Sequence, residues 1–129
     1  MTLEIKFRAW DEVDGTFIPC HSDLFAEIIE RDGFRWPTMQ KNPGYPQIHV
    51  MQYTGLNDKD GRDIYDGDIV RYKLGGEWVV GDVRYDVYAA RYVKRAEKIG
   101  ERWDYKDLSS YIGSTSVIGN VYENPELLK

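Results

Sequence analysis

Hydrophobic and charged residues alternate at the start of the chain and predict a β-hairpin. Three apolar residues occupy every second position: Leu3, Ile5 and Phe7. This period of two gives a strand with one buried face. The Asp-Gly dipeptide at 14–15 predicts a turn, and residues 16–18 predict the returning strand. Residues 3–18 are therefore expected to form an N-terminal hairpin.

A helical period follows the hairpin. Four apolar residues lie three or four positions apart: Leu24, Phe25, Ile28 and Ile29. Ser22 is a suitable N-cap and Gly33 a suitable C-terminal stop. The pattern predicts a helix over Ser22–Asp32 that packs on a sheet. Residues 34–47 contain three prolines and predict an irregular connection.

Two Asp-Gly dipeptides in residues 51–70 predict tight turns. Asp60-Gly61 and Asp66-Gly67 both supply a residue that adopts positive φ readily. Ile48–Tyr53 before the first turn and Ile69–Tyr72 after the second are rich in β-formers and predict strands. This stretch therefore predicts the entry to a small antiparallel barrel.

The downstream pattern predicts further short strands. Residues 69–85 predict a hairpin with a wide loop around Gly75-Gly76, and residues 88–93 fit either a strand or a helix. Four more elements are predicted: a polar loop over 94–102, strands over 108–112 and 117–122, and a turn with a helical stub over 123–128. The predicted fold class is mainly β (β-rich α+β). The hairpin and helix of residues 1–47 are expected to pack on an SH3-like antiparallel barrel over 48–122, followed by a tail at 123–129, in one domain.

Composition narrows the class of protein. The chain has 129 residues, 42% of them hydrophobic, and no apolar run approaches the roughly 18 residues of a membrane helix. Its single cysteine excludes an internal disulfide and fits a reducing compartment. We therefore expect a globular cytoplasmic protein.

The candidate catalytic and metal motifs are incomplete. The acidic loop over 57–63 lacks two ligand positions of a calcium loop, so a turn is predicted instead. The soft and nitrogen ligands, Cys20, His21 and His49, are too few for a closed zinc site. Asp63, Asp66 and Asp68 lie near Tyr65, but turn and strand-end roles explain them. No nucleophile, phosphate-loop or metalloprotease motif occurs. We predict no enzyme activity, no metal and no cofactor.

A mildly basic segment gives an alternative function. Residues 84–106 carry seven basic and four acidic side chains, in a chain of net charge −5. Basic and aromatic residues interleave there and are candidate contacts to nucleic acid or to a partner: Arg84, Tyr85, Tyr88, Arg91, Tyr92, Lys94 and Arg95. The acidic whole would repel a phosphate backbone. The high aromatic content of 14% favours protein interfaces instead.

Three stretches of the chain resemble the signature blocks of the YopX family of bacteriophages and prophages. They are IKFRAWD at 5–11, MQYTGLNDKDGRDIYDGDIV at 51–70 and VIGNVYENPELL at 117–128. The resemblance implies a small β-rich protein of a bacterial host's cytoplasm and implies no activity or functional residue. Three parts of these blocks carry exposed-type polar residues: Asp11, Gln52 and the stretch over 120–124. They are expected either to line a groove or to form turn and strand-end hydrogen bonds.

The sequence therefore predicts a phage or prophage accessory protein that binds protein, itself included, as a homo-oligomer. The alternative is a nucleic-acid-binding small barrel that uses residues 84–106. Neither hypothesis involves a membrane.

Overall fold

The computed structural model describes residues 6–18, 48–86, 91–99 and 102–128, with no side chain described over 96–103. The described residues form nine strands and two 3-10 turns: β1 Phe7–Asp11, β2 Thr16–Ile18, β3 Ile48–Asn57, β4 Asp63–Tyr65, β5 Asp68–Leu74, β6 Glu77–Asp86, β7 Arg91–Ile99, β8 Arg102–Asp107, β9 Ser116–Asn120, η1 Ile112–Ser114 and η2 Pro125–Leu128. The predicted helix over Ser22–Asp32 and the connection over 34–47 lie outside the described residues.

The strands form two antiparallel sheets. The first has the order β2-β1-β3-β4 and the second the order β8-β7-β6-β5-β9. Both sheets curl, and together they form a half-barrel. The mainly β fold class predicted from the sequence is confirmed, and so is the N-terminal hairpin over residues 6–18, in which Ala9 pairs with Ile18, whereas residues 3–5 of that prediction lie outside the described residues.

The predicted Asp-Gly turns are confirmed. Gly61 and Gly67 have φ values of 83° and 94°, in the left-handed region that favours glycine. The wide loop predicted between β5 and β6 is wrong, because Leu74 pairs directly with Glu77. Both residues between them, Gly75 and Gly76, have positive φ, and this allows a two-residue turn that matches the twist of the strands.

Two other predictions in the second half of the chain are corrected. The polar loop over 94–102 is mostly strand, because β7 and β8 are adjacent along the chain and satisfy each other's backbone hydrogen bonds. The ambiguous residues over 88–93 are strand from Arg91 onward. The strand predicted over 108–112 is a turn, in which Tyr111 has a φ of 58° and Asp107 accepts from the backbone N–H of Ser109. The helical stub near the C-terminus is confirmed as η2.

Each sheet contributes to a buried apolar cluster. The larger cluster joins the two sheets: Ile64 comes from β4 of the first sheet, Val70, Tyr72 and Val83 come from β5 and β6 of the second, and Leu108 follows β8. The smaller cluster, in the first sheet, contains Ala9, Ile18 and Ile48. Within the described ranges, no helix has the length and apolar character to cross a membrane.

Candidate functional site

A groove of about 240 Å³ opens between the first sheet and the β5–β9 edge of the second. It is lined by residues from five parts of the described chain: Arg8, Phe17, Arg62, Asp68, Val117, Ile118, Gly119, Asn120, Glu123 and Asn124. All of them except Phe17 lie in the three stretches 5–11, 51–70 and 117–128. The tertiary structure therefore brings these distant stretches to one place.

Arg8 and Asp68 form the polar base of the groove. The Arg8 side chain, on β1, lies between the rings of Phe17 and Tyr65, with its guanidinium carbon 4.8 Å and 4.3 Å from their centroids. Its Nη2 donates to Asp68 Oδ1, and the backbone N–H of Tyr65 donates to Asp68 Oδ2 at 2.8 Å. Burial raises the pKa of Asp68 to about 6, although Arg8 and the Tyr65 amide favour the ionised form.

The turn after β9 forms the opposite wall. Asn120 Oδ1 accepts from the backbone N–H groups of Tyr122 and Glu123 at 3.0 and 2.8 Å. Asn124 Oδ1 accepts in turn from the backbone N–H of Asn120 at 3.3 Å. A Cβ at Gly119 would lie 2.5 Å from that Asn124 oxygen, so any other residue at this position would force the Asn124 side chain to shift. Asn120, Glu123 and Asn124 thus line the groove and also make strand-end hydrogen bonds.

The loop between β3 and β4 is hydrogen-bonded to β9 beside the groove. Asp58 Oδ1 accepts from the backbone N–H of Asp60 and of Arg62, and its Oδ2 accepts from Val117, each at 2.9 Å. Burial opposes ionisation of Asp58, but these three amides and the Arg62 charge outweigh burial and lower its pKa. Arg62 Nη1 also contacts Val117 O at 3.4 Å. Asp58 therefore serves the turn, as the sequence predicted for the loop over 57–63.

Two apolar side chains remain accessible at the groove. Phe17 is 40% exposed and Ile118 is 37% exposed. Trp10 holds the Phe17 ring in an edge-to-face contact at 4.9 Å. The groove therefore combines an accessible apolar pair with polar groups that are already hydrogen-bonded to one another.

A buried group of carboxyls lies at the start of β5 and in β6. Asp66 is 2% exposed, and its Oδ1 has no hydrogen-bond partner among the described residues. Burial raises the pKa of Asp66 to about 7, Arg84 opposes that rise, and Asp68 and Asp82 add to it. Asp82 is held by Arg84 Nη2 at 2.7 Å and by Arg95 Nε at 2.8 Å. Asp63, the remaining carboxyl predicted near Tyr65, pairs with Lys6 at 2.7 Å.

The basic and aromatic residues predicted as one binding face are divided between two faces of the sheet. Arg84 lies opposite Val93, and Tyr85 lies opposite Tyr92. Because side chains alternate along a strand, Arg84, Arg91 and Arg95 lie on one face, and Tyr85, Tyr92 and Lys94 lie on the other. Tyr88 lies outside the described residues.

Most cations of this segment have internal partners. Lys94 is fully buried, and its Nζ donates to Leu108 O, to Ser110 O and to Thr115 Oγ1. Burial lowers the pKa of Lys94 to about 8. Arg91 pairs with Asp107 at 3.2 Å.

His49, the candidate ligand within the described residues, lies in an aromatic and acidic contact and not in a metal centre. His49 stacks on Tyr122 at a centroid distance of 4.0 Å, and its Nε2 lies 3.0 Å from Glu12 Oε2. No group of three or more His, Cys, Asp or Glu side chains among the described residues could hold a metal ion. Cys20 and His21 lie outside those residues. The predicted groove residue Asp11 instead accepts from the backbone N–H of Val13 at 2.9 Å.

Sequence reasoning missed the groove residues Arg8, Phe17 and Arg62. Each has the local pattern of an ordinary strand or turn position, with no motif around it. For Arg8 and Arg62 the one available signal was their position within the stretches that resemble a known family, and Phe17 had no such signal.

Comparisons with known proteins agree with that resemblance. The family model described as "YopX protein" matches residues 6–129. The crystal structure of protein EF1440 from Enterococcus faecalis is similar, with 26% sequence identity, 99% of this chain and 100% of that chain covered, and a TM-score of 0.57. No curated protein matches the chain. Because the family match spans nearly the whole chain, the protein belongs to the YopX family.

Proposed function

We propose that this protein is a non-enzymatic interaction module of phage or prophage origin, which acts in the bacterial cytoplasm by binding a second copy of itself. The observation that carries the proposal is the accessible pair Phe17 and Ile118 at the groove between the sheets, each more than one third exposed. Apolar side chains beside a hydrogen-bonded polar rim are the composition of a protein interface.

The chemistry of the groove also favours binding over catalysis. The Asp68 carboxylate is engaged by Arg8 and by the Tyr65 amide, so both of its oxygens already accept hydrogen bonds. Asn120 and Asn124 are engaged with the backbone of their own turn. Groups held in this way give a wall of fixed shape, and this reduces the entropy lost on association.

The volume of the groove fits one or two side chains of a partner rather than a large ligand. A symmetric dimer supplies such side chains from the same surface, because each copy offers its own Phe17 and Ile118 to the other. The proposed contact is therefore isologous and centred on the groove.

Size-exclusion chromatography with light scattering tests this proposal. The protein is expected to elute at a multiple of 15.1 kDa in both low and high salt, since the proposed contact is largely apolar. Phe17→Ser and Ile118→Ser should each shift the mass toward 15.1 kDa at the same concentration. Val13→Ser is the matched control, because Val13 is 77% exposed and does not line the groove.

A monomeric protein at the highest soluble concentration would contradict the proposal. An oligomer that both groove variants leave intact would also contradict it, by placing the contact elsewhere. Circular dichroism of each variant establishes that a changed mass is not the result of unfolding.

A further inference from the structure

One face of the second sheet carries an exposed cluster of an aromatic ring and two cations. Trp78, on β6, is 51% exposed. Lys73 lies directly opposite it on β5, and the next same-face pair is Arg71 with Val80. The Arg71 guanidinium lies 4.4 Å from the centroid of the Trp78 ring, and Lys73 Nζ lies 5.5 Å from it. We call Arg71, Lys73, Trp78 and Val80 the β5–β6 cluster.

The two cations of the β5–β6 cluster are not neutralised within the described part of the chain. Arg71 and Lys73 are both exposed and form no ion pair there. In contrast, Arg8, Arg84 and Arg91 each contact a carboxylate. The cluster is therefore locally positive, although the whole chain has a net charge of −5.

The same face continues along β6 to a second contact between a cation and a ring. Arg84 lies an even number of residues from Trp78, so both side chains project from one face. The Arg84 guanidinium lies 5.2 Å from the Tyr105 ring centroid, and its side chain is 48% exposed. Six residues of extended strand separate the two contacts by roughly 20 Å. Asp82 lies on the same face and pairs with Arg84, so the β5–β6 cluster rather than this second contact carries the unneutralised charge.

We propose that the β5–β6 cluster binds single-stranded nucleic acid, with a base stacked on Trp78 and phosphates near Arg71 and Lys73. An exposed ring between cations on a small β-sheet suits bases that are free to stack, whereas the bases of a duplex are covered by their neighbours. An acidic peptide would use the two cations but not the face of the ring. The β5–β6 cluster lies outside the segment over 84–106 that the sequence indicated, and only the second contact, Arg84 with Tyr105, lies within it.

Fluorescence anisotropy with a labelled oligo-deoxythymidine tests this inference at low salt. We expect binding that weakens as salt rises and that quenches tryptophan fluorescence. Trp78→Ser should weaken binding by roughly fivefold or more and remove the quenching that arises at that ring. Arg71→Gln and Lys73→Gln should each reduce the slope of log binding constant against log salt concentration by about one. Lys59→Gln is the matched control, because Lys59 is an exposed cation that pairs with Asp60 away from the cluster.

Three outcomes would overturn the inference. The first is no binding of the oligonucleotide at low salt. The second is that a duplex of the same length binds with the same affinity as the single strand. The third is that labelled poly-glutamate binds with the same affinity as the oligonucleotide and that Trp78→Ser does not change that affinity. The test is separate from self-association, because Phe17→Ser and Ile118→Ser change the groove and not the β5–β6 cluster. Their oligonucleotide affinity per chain is expected to equal that of the unchanged protein.

Discussion

Arg8 on β1 forms an ion pair with Asp68 at the start of β5, and this pair joins the two sheets. The two residues are 60 positions apart in the chain. Asp68 is almost completely buried, whereas the Arg8 side chain is 23% exposed. The pair lies at the base of the groove, so it links the stability of the fold to the shape of the candidate site.

Removal of Arg8 should destabilise the protein more than removal of the Asp68 charge. Arg8→Met leaves a buried carboxylate without its cation, and we expect the free energy of unfolding to fall by roughly 2 to 4 kcal/mol. Asp68→Asn should lower it less, because the amide oxygen can still accept from the Tyr65 N–H. Chemical denaturation of both single variants and the double variant gives the coupling energy. Additive effects would show that the pair contributes no energy of its own.

Buried Asp66 should make the protein less stable as the pH rises. Its pKa is about 7 in the folded protein and 3.8 as a model value, so the folded state binds the proton more tightly. The stabilisation is complete below about pH 4 and is lost as the pH rises through about 7. Asp68, with a pKa raised to about 6, acts in the same direction.

Asp66→Asn should therefore flatten this pH dependence. At about pH 8 the variant should be more stable than the unchanged protein by roughly 1 to 4 kcal/mol, because one pKa unit corresponds to about 1.4 kcal/mol. Near pH 4 the two proteins should melt together. Thermal melts across this range are the measurement, with Asp60→Asn as the exposed control. A variant that is less stable at every pH would refute the assignment.

Asp58 should hold the loop between β3 and β4 against β9. Asp58→Ala removes the acceptor of three backbone N–H groups, and we expect a loss of roughly 2 to 4 kcal/mol near neutral pH. The pKa of Asp58 is lowered in the folded protein, so its contribution is lost as the pH falls through that value. The difference between the variant and the unchanged protein should shrink in acid. A constant difference in urea titrations at several pH values would argue against a charge effect.

Gly67 and Gly61 allow conformational strain to be separated from crowding. Both have positive φ, but a Cβ at Gly67 would lie 3.2 Å from Met51 Sδ, whereas a Cβ at Gly61 meets nothing within 4 Å. Gly61→Ala should cost about 1 kcal/mol and Gly67→Ala about 2 kcal/mol. Melting temperatures of the two variants test the order. Equal losses would mean that Met51 moves aside freely.

The sequence by itself determined the turns and strands that depend only on neighbouring residues. Asp66-Gly67 favours a turn wherever it occurs, since glycine reaches positive φ without a steric penalty. The alternation that ends at Phe7 likewise indicated a strand, and β1 lies there, but its neighbouring residues Ala9 and Trp10, on opposite faces, are both buried. The three family-like stretches identified the family but gave no role to any residue in them.

Contacts between distant residues were decided only by the tertiary structure. The segment over 84–95 reads as one basic and aromatic patch, yet Arg84 and Tyr85 alternate on opposite faces of β6, and pairing with β7 places Tyr92 on the face of Tyr85. The polar composition of Lys94 and the residues after it indicates a loop, but Lys94 is buried against three oxygen acceptors from the segment between β8 and β9. The partner of each such charge depends on which strands become neighbours. That choice is made by the packing of the whole chain, because the free energy of a buried charge depends on its spatial neighbours and not on its neighbours in sequence.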